Sequence, residues 1–475
     1  MMKYLCLSLL LFSLSCTTSR EKEMKLISPE QVKLLKTGGD GILKNFSEHQ
    51  LSNGLRVLLI PDSRLPVVSY QMLVKAGYVE DPVGQSGIAI MVASLLNKGI
   101  RHKNANQIAD EIALKGSQYG TVTEADYSLV YMSGLSKYKN DVLTLFADIV
   151  TSPTFTKQEM DRLNKQLLAS LSERSDNPGA LANFAFQDYL FGPHPYGRSP
   201  LRRRQELNSI SRSQLIRFYL ENYRPNNSML AVVGDFGPDI LSQLESHFKS
   251  WTQRKQKPVT MPSLVPIEKL QLRLVQKKDL TQAQIHIGHY SVPRNHVDYL
   301  ALRLANTILG QGFTSRLVDK IRDNLGLTYS ISSNIDSEKV AGVFEISTFA
   351  RNEKVGEVIQ QVLKILREFA AKGVTKEELE NAKGYFIGSF GRSIETPERL
   401  ASALLGLRFY GISDSYLTHF EEEVESVSLS DLNRVIRTHF HPDKLKILVL
   451  ANESAVESSL TQFAPYEKIP YTQLQ

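Results

Sequence analysis

The sequence predicts an α+β chain made of two duplicated domains, each a mainly antiparallel sheet with helices packed on it. Three observations carry that expectation. Residues 156–192, TKQEMDRLNKQLLASLSERSDNPGALANFAFQDYLFG, align without a gap on residues 375–411, TKEELENAKGYFIGSFGRSIETPERLASALLGLRFYG, so that Pro178 falls on Pro397 and Gly192 on Gly411. After a two-residue shift, ISRSQLIRFYLENYRP matches VSLSDLNRVIRTHFHP. Each copy also runs through the same order of elements, with strands clustered beside long helices rather than alternating strictly with them, the pattern of α+β layers.

Each element has its own signal. GLRVLLIP and VVSYQMLVKAG in the first copy, and LRLVQKK and AQIHIGHYSV in the second, carry β-branched and aromatic residues in partial alternation, which suits half-buried strands. A helix follows over 86–98 or 298–309, then further strands. A longer helical stretch is opened by Thr156 or Thr375, with Glu159 or Glu378 three residues on, the signature of a capping box. SMLAVVGD and LKILVLAN read as the closing strands. RKQKPVTMPSLVP, residues 254–266, reads as the linker, giving expected domains over 44–255 and 266–475.

Of the 475 residues, 42% are hydrophobic and 22% charged, with a net charge of +6, values ordinary for a globular protein of several domains. No basic stretch alternates with aromatics, so nucleic acid is not an expected partner. Arg202, Arg203 and Arg204 form the one dense basic spot, read as a solvated face or, alternatively, a contact for an acidic partner. At the N-terminus, Lys3 precedes an apolar run from Tyr4 to Leu14, followed by Ser15 and Cys16. The run is too short to span a bilayer and reads as a signal peptide over 1–15. A cysteine directly after it resembles a bacterial lipoprotein box, which would make Cys16 a lipidated first residue and 16–43 a tether; a plain cleaved signal is the alternative. Thr17 is not the aspartate associated with inner-membrane retention, so the expected location is the periplasmic face of the outer membrane. No cysteine follows Cys16, so the exported chain is expected to rely on its cores rather than on disulfides.

GLRVLLIPD, AGYVEDPVGQSGIAIMVASLLNKG, HPYGRSPL, FYLENYRPNNSMLAVVGD and LGQGFTSRLVDKIRDNLGLTYSISS, in that order, resemble the recurring segments of the insulinase/pitrilysin family of zinc metallopeptidases, in particular its two-domain processing-peptidase-like chains. Active members carry H-x-x-E-H on the helix after the second strand, where two histidines one turn apart bind zinc and the glutamate acts as base. In the matching register this chain has Ile90 and Ser94 for the histidines and Ala93 for the glutamate. The third-ligand region falls at Leu168, Ala169 and Ser170, where Ala169 or Ser170 replaces a carboxylate. Every ligand and the base are absent, so no metal is expected here.

The ten histidines suggest no relocated site. His286 and His289 are three apart in an expected strand and so point to opposite faces, and His439 and His441 flank a turn with no carboxylate evident beside them. What the resemblance does retain is an Arg–Tyr pair seven residues apart, Arg322 and Tyr329, which in the family helps hold the substrate backbone and the developing oxyanion. The alternative is that Arg322 pairs locally with Asp319 or Asp323 and Tyr329 is strand packing. HPYGR, His194 to Arg198, is expected to shape a loop on the chamber wall. The resemblance therefore implies a non-catalytic subunit that binds extended peptide and completes the site of a zinc-bearing partner chain, with the zinc in the partner. A stand-alone peptide-binding or scaffold lipoprotein, alone or as a homodimer, is the competing expectation.

Overall fold

A computed structural model describes residues 46–198, 204–255, 260–463 and 465–474. The signal peptide, Cys16 and the tether lie outside the described residues, as do Arg202 and Arg203. Two six-stranded sheets hold the structure together, each built from one copy of the repeat. The first uses β1 (Ser47–Gln50), β2 (Arg56–Pro61), β3 (Val67–Val74), β6 (Gln118–Thr123), β7 (Ser128–Leu135) and β8 (Ser228–Gly234) in the order β1-β2-β8-β3-β7-β6. A two-residue ladder, β4 (Gly99–Ile100) with β5 (Lys103–Asn104), stands apart from it. The second sheet uses β9 (Gln271–Gln276), β10 (Gln282–Ser291), β11 (Ile331–Ser337), β12 (Gly342–Arg351), β13 (Lys446–Ala451) and β14 (Glu467–Pro470) in the order β11-β12-β10-β13-β9-β14.

Read from opposite ends, the two orders are one topology. In each, the first long strand pairs in parallel with the last, β2 with β8 and β9 with β13, while the pairs β3–β7, β6–β7, β10–β12 and β11–β12 are antiparallel. Only the sixth strand breaks the correspondence. β1 precedes its sheet and adds antiparallel to β2, whereas β14 comes from the C-terminal end and adds parallel to β9.

The central strands are buried on both faces, which explains why β2 and β8 read as unbroken apolar runs, whereas the edge strand β11 alternates buried and exposed residues. On one face of the first sheet, Val57, Leu59, Val68, Tyr70 and Met72 pack against helices of the same half. On the other face, Leu58, Ile60, Leu73, Met229, Ala231 and Val233 pack against Leu400, Ala401, Leu404, Leu405 and Phe409 of the Pro397–Tyr410 helix, which belongs to the second half. The exchange is reciprocal. The Pro178–Phe191 helix of the first half lays Leu181, Ala185, Phe186 and Leu190 against Val275, Val343, Leu448 and Leu450 of the second sheet. Polar ties fix both docked helices: Gln71 Nε2 donates to the Glu398 carbonyl (3.0 Å), and Tyr290 Oη donates to the Leu190 carbonyl (2.7 Å). The helices expected on each sheet are present, but one on each comes from the opposite copy.

The helix starts follow their caps. Thr156 and Thr375 each accept a bond from the backbone N–H of the glutamate three residues on, but only Glu378 reaches back to complete the box, its Oε2 accepting from Thr375 N–H at 2.7 Å. Among the described residues no helix is long and apolar enough to cross a membrane.

Candidate functional site: the peptidase-like cleft

The helix that aligns with the zinc motif spans Ile88–Leu95, shorter than the expected 86–98. Gly87, at φ 98°, turns the chain into it, and the Asp81 carboxylate accepts from the N–H groups of Gly87 (2.6 Å) and Ala89 (3.0 Å). Burial raises the Asp81 carboxyl to about 7 against the lowering effect of those bonds. Along this helix Ala93 is 1% exposed. Ile90 packs into the same core as Leu163, Leu167, Leu168 and Leu171 of the Lys157–Asp176 helix, which carries the third-ligand region. Ala169 is exposed and Ser170 half-buried. Side chains of this chemistry do not fit zinc: an isoleucine, two alanines and serines offer neither imidazole nor carboxylate, and leucines fill the space between the helices.

Two further histidine constellations lie in the second half. His286 and His289 do point to opposite faces of β10. His286 Nδ1 is hydrogen-bonded to Glu345, while His289 Nδ1 donates to the Tyr290 carbonyl (2.7 Å) and its Nε2 accepts from His441 N–H (3.3 Å). Burial drives the His289 imidazole down to about 4, so it is neutral and structural. His439, contrary to the sequence reading, does have a carboxylate beside it. Its Nε2 lies 2.7 Å from Asp298, and ligand atoms of His296, Asp298 and His439 all fall within 4.8 Å of one another. Sequence distance hid this cluster, since Asp298 sits before one helix and His439 at the end of another. Arg434 already holds both Asp298 oxygens (2.7 and 3.2 Å), and with His439 it keeps that carboxyl down at about 2. A guanidinium on the carboxylate opposes a dication, and the network is complete as a latch between the Tyr299–Asn306 and Leu429–His439 helices.

Arg322 lies on a π-helical segment, Val318–Asn324, and Tyr329 just before β11, the edge strand of the second sheet. The turn between them is pinned by Leu327 N–H on the Ile321 carbonyl (3.1 Å) and by Thr328 Oγ1 donating to the Phe349 carbonyl (2.6 Å). Arg322 Nε makes an ion pair with Asp323 (3.2 Å) with its side chain 41% exposed, as the local alternative anticipated. Tyr329 does not follow that alternative. It is 85% exposed and packs in no core.

Between the two halves lies a cleft of about 700 Å³. One wall is the polar edge of the second sheet (Ser332, Asn334, Asp336, Glu345 and Ser347); the other is the docked Pro178–Phe191 helix with Asn183, Phe184 and Gln187. Arg322 and Tyr329 are not part of its lining. HPYGR closes one end as a cross-half clasp. Tyr196 Oη donates to Asp126 (3.0 Å) and accepts from Val340 N–H (3.1 Å), Lys339 N–H reaches Asp126 (2.8 Å), and Arg198 Nη1 donates to the Asp81 carbonyl (3.0 Å). The lining is polar, offering hydroxyl, amide and carboxylate groups, and His286 within it is paired with Glu345.

Two halves closed over a polar cleft, with a remodelled helix where the metal would sit, define a peptidase-like chain without the peptidase's metal site. Residues 56–199 match the insulinase (peptidase family M16) domain and residues 209–385 the peptidase M16 inactive domain. The chain is 27% identical over 342 residues to an uncharacterized zinc protease of Rickettsia bellii, covering 72% of this chain and 82% of that one. It is 24% identical over 419 residues to the non-peptidase homolog YmxG of Helicobacter pylori, covering 87% and 96% respectively. Its fold superposes with a TM-score of 0.80 on a peptidase M16 inactive domain from Pseudomonas fluorescens, at 24% identity and over 86% of this chain and 98% of that one. The chain belongs to the insulinase (M16) family and, lacking every ligand and the base of the zinc motif, is a non-catalytic member of it.

Proposed function

We propose that this chain is the non-catalytic subunit of a heterodimeric M16-family metallopeptidase, binding extended peptide and completing the site of a zinc-bearing partner. The observation that carries the reading is a division within one molecule. The zinc-position helix has become packed core, while Tyr329 remains an outward-facing donor that no packing requires. Arg322, on the segment before it, has only a half-exposed local carboxylate to exchange for a carbonyl oxygen. The polar cleft between the halves supplies hydrogen-bonding groups for a peptide backbone. Zinc belongs to the partner chain, and Cys16 anchors the subunit by lipid at the periplasmic face, with the outer membrane favoured.

Zinc content and peptide cleavage of the mature chain, alone and mixed with an H-x-x-E-H relative, test this. Cleavage is expected only in the mixture, and Arg322→Ala is expected to lower its kcat by about 100- to 1,000-fold, the scale of losing one oxyanion donor. Cleavage by the lone chain with stoichiometric zinc would overturn the proposal. A mixture no more active than the partner alone, with peptide binding retained, would favour the stand-alone binding protein.

A further inference from the structure

A second cleft, about 720 Å³, opens within the C-terminal half between the Tyr299–Asn306, Lys376–Ser393 and Pro397–Tyr410 helices. It is the internal counterpart of the lost zinc position. Its wall residue Arg303 lies on the helix that repeats Ile88–Leu95, and Ser389 repeats Ser170 by the offset that sets Pro397 on Pro178. Where the first half packs partly buried leucines beside this place, the second half lines a cleft with arginines.

Two half-buried arginines there stand out for their surroundings. Arg294 stacks over Tyr299 (4.1 Å from the guanidinium carbon to the ring centre) and Tyr416 (4.8 Å); Arg303 stacks over Phe386 (5.0 Å). Comparably sheltered arginines elsewhere, Arg273, Arg316 and Arg408, each hold a carboxylate within 2.9 Å. Among the described residues neither Arg294 nor Arg303 forms a salt bridge. The one carboxylate on the wall, Glu398, pairs with neither. The rings orient the two guanidinium forks and shelter them from water while leaving their N–H groups unused, the arrangement that favours a bidentate anion. The floor beneath is apolar, with Phe390 and Phe420 stacked face to face. Gln311 lines both this cleft and the one between the halves, so the two adjoin at that residue.

We infer that the Arg294–Arg303 cleft receives the free C-terminal carboxylate of an extended peptide whose last side chain is apolar. The inference rests on the peptide-binding part of the proposed function and names the end of the peptide that the chain recognises. The guanidiniums take the carboxylate, the phenylalanine floor takes the terminal side chain, and the rest of the chain runs past Gln311 into the polar cleft.

Fluorescence anisotropy on the intact mature chain tests it, using a labelled decapeptide ending in phenylalanine as the free acid, the same peptide as its C-terminal amide, and an amide ending in glutamate. The acid is expected to bind at least ten-fold tighter than the phenylalanine amide, and Arg294→Gln with Arg303→Gln should bring that ratio close to one while leaving amide binding in place. Equal binding of acid and amide to the unmodified chain, a comparison independent of how any variant folds, overturns the inference and leaves peptide binding standing. A ratio that survives the double substitution overturns the assignment to these arginines. Glutamate amide binding as tightly as the acid overturns recognition of the terminus. If no peptide binds in any form, the underlying reading has failed and this inference falls with it.

Discussion

At position 93 a methyl group stands where an active relative keeps a general base, and the position is buried. Ala93 is 1% exposed, and Ile90, one turn before it, shares a core with Leu163, Leu167 and Leu171. The site has thus lost its ligands, and the position of the base is buried, while Ile90, Ser94 and Ser170 stay half-buried and Ala169 exposed. Restoring the glutamate alone would bury a carboxylate with no metal to meet it. Ala93→Glu should therefore cost about 3 kcal/mol of stability, within the range for an uncompensated buried polar group. Urea unfolding would show this as a lower midpoint at unchanged slope. A cost near zero would mean that the pocket is still open and that the helix is poised for metal. Tyr329 presents the opposite case, a large aromatic held out in solvent by a turn whose own bonds are all made by neighbours. Substituting it should leave stability nearly unchanged, which separates its role from that of the core tyrosines.

The elements show what a linear sequence conveys and what it omits. Strands β2, β3, β8, β9, β10 and β13 fall within a residue or a few of the β-branched and aromatic stretches that predicted them, but the partial alternation suggested half-burial, whereas β2, β3 and β8 are buried along nearly their whole length. The duplication was legible from aligned prolines and glycines, and the loss of the zinc ligands from register alone. Which helix covers which face was not legible. Pro178–Phe191 and Pro397–Tyr410 have apolar residues over so much of their surface that no single buried stripe points to a partner, and the partner proves to be the sheet of the other half. The His296–Asp298–His439 cluster escaped for the same reason, being made by tertiary contact between distant segments. The exchange makes a prediction at this scale. Leu404, fully buried against β2 and β8, should cost about 3 kcal/mol when cut to alanine, and the loss should appear in both halves. Calorimetry is expected to show one transition, moved down intact. Two separated transitions, with only the C-terminal one shifted, would mean that each half is stable without the other's helix.

Across the whole molecule, the clasp between the halves is built from carboxyls that burial has made reluctant to ionise. Asp126, in the turn from β6 to β7, and Glu338, just after β11, come from opposite halves. Both are raised by burial, and each is influenced by the other's charge or hydrogen bond. Tyr410 of the docked helix donates to Glu338 (3.3 Å), and Tyr196 and Lys339 N–H serve Asp126, so one carboxylate in the pair is well satisfied and the second is not. Glu80, at the same end, is raised to about 8, chiefly by burial. The sign follows from which state keeps the proton. Carboxyls raised in the folded state hold protons that the unfolded chain has released above its ordinary range near 4. Their stabilisation is therefore complete at low pH and is lost as pH climbs through the folded values. Each retained proton is worth about 1.4 kcal/mol per pH unit, so stability should fall by ~2 kcal/mol between pH 7 and 8.5. His289 and Asp298 have folded-state values of about 4 and about 2, below that window, and do not obscure it. Glu338→Gln, which removes the shared proton but keeps a hydrogen-bonding group, should flatten the profile and raise the melting temperature at pH 8.5. A profile that is level or rising over this range in the unmodified chain would mean that water reaches the clasp and that the two halves are already parted there.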